Sequence, residues 1–228
     1  MDEDHSPDCC APEADPRVAR RFDSRYADWS DDDELPQMVD VSARLLDQLR
    51  DAVLRRPTVL EIGCGTGAVS VALLEMGARR VRGIDLSATS VGLARRRAEV
   101  AGVGEQADFA VGRGAEVGGE PFDWVVLDRV ICCDKHVDRM LDAAVGAASA
   151  RIALSVPESR GWSGLVNRVL WRAENVLDFF SGGCYGYVHD VRRIERRLAS
   201  AGFAATAAVR VGLWHVGVYD RGATTAVA

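Results

Sequence analysis

Lysine is almost missing from this chain: Lys135 is the only one. Arginine carries the positive charge instead, and even so the net charge over 228 residues is -6. Without a basic surplus little can displace counterions from a phosphate backbone, which excludes a general nucleic-acid binder. So uniform a preference for arginine reflects genome composition, and no single arginine is taken as a chosen clamp on that basis. No apolar run reaches the roughly 18 residues that a membrane span needs. The opening MDEDHSPDCC is acidic and polar, the opposite of a secretory leader, so a cytoplasmic protein is expected. The six cysteines, Cys9, Cys10, Cys64, Cys132, Cys133 and Cys184, are expected as thiols in a reducing compartment. Their neighbouring pairs lack the C-x-x-C spacing of a zinc site, and no metal is expected. Internal repeats are missing too.

What is present is a folded composition, 48% hydrophobic, in a length that suits one α/β domain with an additional segment. Residues 1–35 are acidic and poor in large apolar groups, which predicts a partly disordered segment. Within it Phe22, Tyr26 and Trp29 stand at helical spacing, a candidate lid helix at 21–29. Residues 36–228 are expected to form the main domain. Met38, Val41, Leu45, Leu46, Leu49 and Val53 predict an amphipathic helix over 36–55. Strand and helix patterns then alternate: TVLEI, AVSVALLEMG with Gly77 as C-cap, RRVRGIDL, a helix capped by Ser87, ADFAVG, FDWVVLDRVI, a helix to about 148, and RIALSV. This alternation predicts βαβ units and a parallel sheet. A helical insertion follows at about 158–189, with Trp162, Leu165, Val166, Val169, Leu170, Val176, Leu177 and Phe180 on one face, read as packing against the sheet. Another helix over 190–201 leads to two strands joined tightly around Gly212, a hairpin.

The stretch VLEIGCGTG concentrates chemistry. A strand ends at Glu61, and a turn through Gly63, Cys64, Gly65, Thr66 and Gly67 leads into a helix. Such a turn lets backbone approach a ligand closely, and the helix start offers N–H groups to an anion. Asp85 ends the next strand, where a carboxylate can accept hydrogen bonds from both hydroxyls of a ribose. Loop and acid together read a nucleoside carrying a charged group. The pattern also satisfies G-x-G-x-x-G/A, the dinucleotide fingerprint.

EIGCGTG followed by GIDLS resembles the first two motifs of class I S-adenosylmethionine-dependent methyltransferases. Glu61, two residues before the first glycine, is typical of that family and not of dinucleotide enzymes. The resemblance covers roughly residues 36–221. It implies a Rossmann-like, doubly wound seven-stranded α/β sheet, mostly parallel with an antiparallel C-terminal hairpin strand. It implies S-adenosyl-L-methionine as cofactor, with Glu61 orienting the loop and the amino-acid end, and Gly63, Cys64, Gly65 and Gly67 lining it. It implies Asp85 on the ribose and Leu86 beside the adenine. Where the family often has an acid near the adenine amine, this chain has VGRGAEV: Arg113 or Gly114 takes that place, with Ala115 next to it. Asp128, ending the fourth strand, matches a position often beside the methionine moiety; the alternative is a solvated strand-end acid. A looser similarity reaches the magnesium-protoporphyrin O-methyltransferases, without assigning a porphyrin substrate.

Methyl transfer needs alignment and exclusion of water, and a base only where the nucleophile holds its proton tightly. The candidates for a base are His136, His189 and Tyr26, each with a packing role as the alternative. Cys132 and Cys133 are either small hydrophobes or reactive thiols at the acceptor side. The function expected is methylation of a small hydrophobic or aromatic acceptor, O-methylation favoured. The alternatives are a nicotinamide-dependent oxidoreductase and a non-catalytic S-adenosylmethionine-binding domain.

Overall fold

The computed structural model describes residues 16–29, 33–113, 121–181 and 186–222. Its centre is one seven-stranded sheet in the order β3-β2-β1-β4-β5-β7-β6. The strands are β1 (Thr58–Ile62), β2 (Arg80–Asp85), β3 (Ala107–Val111), β4 (Phe122–Asp128), β5 (Ala148–Pro157), β6 (Phe203–Val211) and β7 (Trp214–Arg221). The first five pair in parallel, and β7 runs antiparallel to both β5 and β6. This is the Rossmann-like sheet expected from the sequence, with its terminal hairpin turning at Gly212 (φ 57°). The order reverses beside β1, between β2 and β4, so the carboxyl ends of those strands open onto one crevice.

The helices are α1 (Pro16–Arg25), α2 (Asp40–Val53), α3 (Ala68–Glu75), α4 (Ala88–Val100), α5 (Val137–Ala147), α6 (Gly161–Ser181) and α7 (Val191–Ser200). One layer packs α2 and α3 through Leu45, Leu49 and Leu73 against Val59, Val126 and Val218 of the sheet. The other packs α5 and α7 through Leu141, Ile194 and Leu198 against Leu60, Val125 and Ile152. Ser87 caps α4, its hydroxyl accepting from the Ser90 N–H at 3.0 Å. Asp190 caps α7 in the same way, accepting from the Arg192 N–H. Among the described residues no helix is long and apolar enough to cross a membrane.

Three elements differ from their sequence expectations. The N-terminal helix occupies Pro16–Arg25 instead of 21–29, because proline suits a first helical turn, and Tyr26 falls in the turn that follows. β4 stops at Asp128 short of VI, since Arg129 adopts a left-handed conformation (φ 54°) and Ile131–Cys133 coil into a 3₁₀ turn that buries Ile131. The third difference is α6. Where its side chains are described, its apolar stripe does not pack on the sheet: Trp162, Leu165, Val169, Leu170 and Val176 are all exposed, while the side chains of Leu177 and Phe180 lie outside those described. The side it buries is built from Gly164 and Asn167. A Cβ on Gly164 would lie 2.1 Å from the Ser159 carbonyl oxygen, and the Asn167 amide donates to the Glu158 and Leu213 carbonyls, both at 2.8 Å. Backbone approach and two buried hydrogen bonds, not apolar area, decide which way this helix faces.

Candidate active site

The glycine turn joins β1 to α3 and is held against β2. The Gly63 and Cys64 N–H groups both donate to the Ile84 carbonyl, at 2.7 and 3.1 Å. Gly63, Gly65 and Gly67 all have positive φ, at 76°, 49° and 74°. They are needed for different reasons. A Cβ on Gly63 would drive into Val130, and one on Gly67 would meet Ala94 at 2.8 Å and Phe109 at 3.3 Å. A Cβ on Gly65 would meet nothing within 4 Å. The middle glycine thus borders open space, the cradle that a ligand's polar end would fill.

Three carboxylates converge on that space from the ends of β1, β2 and β4. Glu61 is fully buried and accepts a short hydrogen bond from the Ser70 hydroxyl. Its pKa is raised to about 8, by burial first, against the Ser70 bond, with further push from the charges of Asp128 and Asp85. Asp85 accepts from the Gly65 N–H (2.8 Å) through one oxygen and the Ser87 N–H (2.9 Å) through the other. Burial raises its pKa, and those backbone donors oppose the rise. A carboxylate offers about four lone-pair positions, so Asp85 keeps about two for a ligand. Asp128 is gripped by two serines, Ser42 of α2 and Ser155 of β5, each hydroxyl donating at 2.5 Å. Three acids sharing one buried crevice repel one another, and a cation placed among them relieves that repulsion.

The helix α1 closes one side. Asp23 accepts from the Ser87 hydroxyl (2.6 Å) and the Thr89 N–H (3.3 Å), which lowers its own pKa, and its charge in turn opposes ionisation of Asp85. The other side is the 3₁₀ turn after β4. The Tyr187 N–H donates to the Cys132 carbonyl at 2.8 Å, while Gly186 is clamped by the Asn175 side chain through two bonds of 2.7 and 2.8 Å. These contacts tie α6 to the turn.

This geometry has relatives. A methyltransferase-domain family model matches residues 59–150. Ubiquinone biosynthesis O-methyltransferase of Rhizobium johnstonii is 28% identical over 167 residues, covering 72% of this chain and 64% of that protein. The enzyme of the same name from Rhizobium etli is 31% identical over 175 residues, again 72% of this chain and 64% of that protein. The chain carries a methyltransferase domain over residues 59–150. It spans under two thirds of the length of either of those relatives. In fold it resembles the magnesium protoporphyrin IX methyltransferase of Synechocystis PCC 6803, crystallised with bound S-adenosylmethionine: TM-score 0.67, 21% identity, 93% of this chain and 99% of that one.

The methyltransferase frame sorts the remaining candidates by position. Glu61, Gly63, Cys64, Gly65, Gly67, Asp85 and Asp128 come together at the crevice, and Leu86 follows Asp85 half-buried. Gly114 and Ala115 lie outside the described residues. Tyr26 sits against α4, lining with Trp29, Thr89, Gly92 and Arg96 a cavity of about 360 Å³. His136 is exposed at the start of α5. His189 is half-buried, its Nε2 2.8 Å from the Asp134 carbonyl, and burial lowers its pKa while contacts with the Asp134 and Ile131 carbonyls oppose the fall. Its ring is thus a strut under the turn after β4. His215 is buried beside Arg160 and stays neutral, its pKa lowered to about 4 by burial first. Of the two thiols in the turn, Cys132 is buried and pushed up by its hydrogen bond with Cys133 and by burial, while that bond holds the more exposed Cys133 below the ordinary thiol range.

Sequence reasoning missed the three serines that hold these acids, Ser42, Ser70 and Ser155, and it missed Asp23, which docks on Ser87 beside them. Ser70, nine residues after Glu61, carried a signal, since it faces the loop from the first turn of α3. The others come from 27 to 86 positions away and left none.

Proposed function

We propose that this chain transfers a methyl group from S-adenosylmethionine to a small, hydrophobic or aromatic acceptor, oxygen being the favoured nucleophile. The carrying observation is the meeting of three carboxylates with the open flank of Gly65. In this reading Asp85 holds the ribose hydroxyls with its remaining lone pairs, and Leu86 flanks the adenine. Glu61 and the glycine turn receive the charged amino-acid end, and Asp128 lies beside it. The acids suit a ligand with two cationic groups, an ammonium and a sulfonium, better than a pyrophosphate, which they would repel. When bound, S-adenosylmethionine supplies an electrophilic methyl carried on sulfur. The protein's share is alignment of the acceptor and exclusion of water. The turn after β4, braced by His189, and the segment from Gly186 to His189 form the acceptor side. Tyr26, His136 and His189 stay candidates for taking the acceptor's proton. His189 acts first as a positioning residue, through its contact with the Asp134 carbonyl. The relatives' name, ubiquinone biosynthesis O-methyltransferase, supports oxygen as the atom methylated.

Calorimetry tests the cofactor reading. S-adenosylmethionine and S-adenosylhomocysteine are expected to bind, and NADH is not. Binding of NADH alone would replace methyl transfer with hydride transfer. Screening acceptors by mass, a gain of one methyl is expected on a phenol; cofactor binding with no methylated product from any acceptor would leave a binding domain.

The α1 segment is proposed as a lid, docked through Asp23 next to Asp85. Removal of residues 1–35 is expected to lower cofactor affinity and turnover about tenfold, roughly one charge-assisted contact's worth. Unchanged values for both would end the lid assignment.

A further inference from the structure

The outward side of α6 is apolar where a surface helix is normally polar. Trp162 is 77% exposed, Leu165 49%, Val169 60% and Val176 58%. At about 100° per residue these four fall within roughly 60° of one another, opposite the buried Gly164 and Asn167. Leu170, 51% exposed, widens the stripe. Arginines border it. Arg168 and Arg172 are exposed along one flank of the helix, Arg168 also reaching the Ser159 carbonyl at 3.3 Å. At the start of the helix, exposed Arg210 of β6 donates to the Ser163 hydroxyl at 3.1 Å. Toward the other end Arg21 of α1 pairs with Glu174 at 3.6 Å, bringing in a helix that also carries exposed Arg20 and Arg25. A chain with net charge -6 has thus gathered positive charge around its most exposed apolar helix.

We infer that this face docks on the surface of an anionic lipid bilayer, with α6 lying in the interface plane. The charge arrangement is that of an interfacial helix: an aromatic and aliphatic stripe to sink below the headgroups, arginines beside it to meet lipid phosphates. The dimensions agree. From Trp162 to Val176 the stripe is about 21 Å long and about 10 Å wide, on the order of 200 Å². A stable contact with a second protein covers about 800 Å² per partner. The stripe is too small for that and ample for shallow insertion. Its polar flank is cationic, which attracts anionic headgroups and repels a second copy presenting the same arginines. The inference is independent of the methyl-transfer reading, since no residue of the glycine turn or of the carboxylate cluster takes part.

The test is co-sedimentation of the full chain with phosphatidylcholine vesicles containing about one third phosphatidylglycerol, against pure phosphatidylcholine. Partitioning onto the anionic vesicles is expected to be at least about tenfold stronger, and to weaken about tenfold when salt rises from about 0.1 to about 0.5 M. Val169→Asp, at an exposed position, is expected to abolish binding while the thermal melt stays unchanged. Arg168→Ala with Arg172→Ala is expected to lower it about tenfold. Equal partitioning of wild type on both vesicles, or of Val169→Asp and wild type on the anionic ones, would overturn the inference. So would a concentration-dependent dimer in sedimentation velocity that Val169→Asp dissociates, because the stripe would then be covered by a second copy.

Discussion

Asp85→Ala is expected to weaken S-adenosylmethionine binding by about two to three orders of magnitude in calorimetry. The argument is a count of lone pairs. Asp85 already accepts from the Gly65 and Ser87 N–H groups, one on each oxygen, and about two acceptor positions face the crevice. Hydrogen bonds to a charged group contribute about 1.5–3 kcal/mol each, and every 1.4 kcal/mol is tenfold in affinity. Alanine removes both ligand contacts and strands the Gly65 N–H, the donor at the one glycine of the turn that borders open space. Asp85→Asn keeps a carbonyl acceptor, so its loss is expected to be smaller, about tenfold. An alanine variant that melts like wild type and binds within about threefold of it would take the ribose away from Asp85 and dissolve the site's central assignment.

How much of this could be read beforehand depends on how far apart the partners stand in the chain. The glycine turn was legible because its residues are adjacent and its geometry is local: three positive φ values demand glycine whatever the ligand. The sheet was legible because hydrophobic periods of two and three to four alternate along the chain. Ser42 and Ser155 were not, since nothing near either position marks it as the future partner of Asp128, and only the folded sheet brings them there. The facing of α6 shows a second kind of limit. Periodicity correctly locates an apolar stripe, but it is silent about what the stripe meets. The choice was made by Gly164, which lets the helix approach the Ser159 backbone, and by Asn167, which donates to the Glu158 carbonyl and shares the Leu213 carbonyl with the Glu158 N–H. The stripe was left outward as a consequence.

Glu61 carries the second large expectation, a stability that falls with rising pH. Its carboxyl titrates at about 8 in the fold and near the ordinary 4.5 when unfolded. Between those values the folded chain keeps a proton that the unfolded chain has released, so folding is progressively disfavoured as pH rises through the window. The penalty saturates above about pH 8 at on the order of 5 kcal/mol, from 1.36 kcal/mol per unit. Glu61→Gln keeps an uncharged partner for Ser70 and has nothing to ionise. Urea unfolding of the ligand-free protein is therefore expected to show Glu61→Gln ahead of wild type by only about 1.4 kcal/mol at pH 5.5, and by about 4–5 kcal/mol at pH 8.5. Parallel pH profiles would mean that Glu61 titrates as an ordinary carboxylate and that water reaches it. The same burial explains why an acid is kept in so unfavourable a place. Burial and the charges of Asp85 and Asp128 make its ionised form costly in the empty crevice, and a cationic ligand is what makes that form favourable. Stability given up at Glu61 is thus recovered as affinity for positive charge, and Glu61→Gln is expected to gain the first while losing about tenfold or more of the second at pH 8.5.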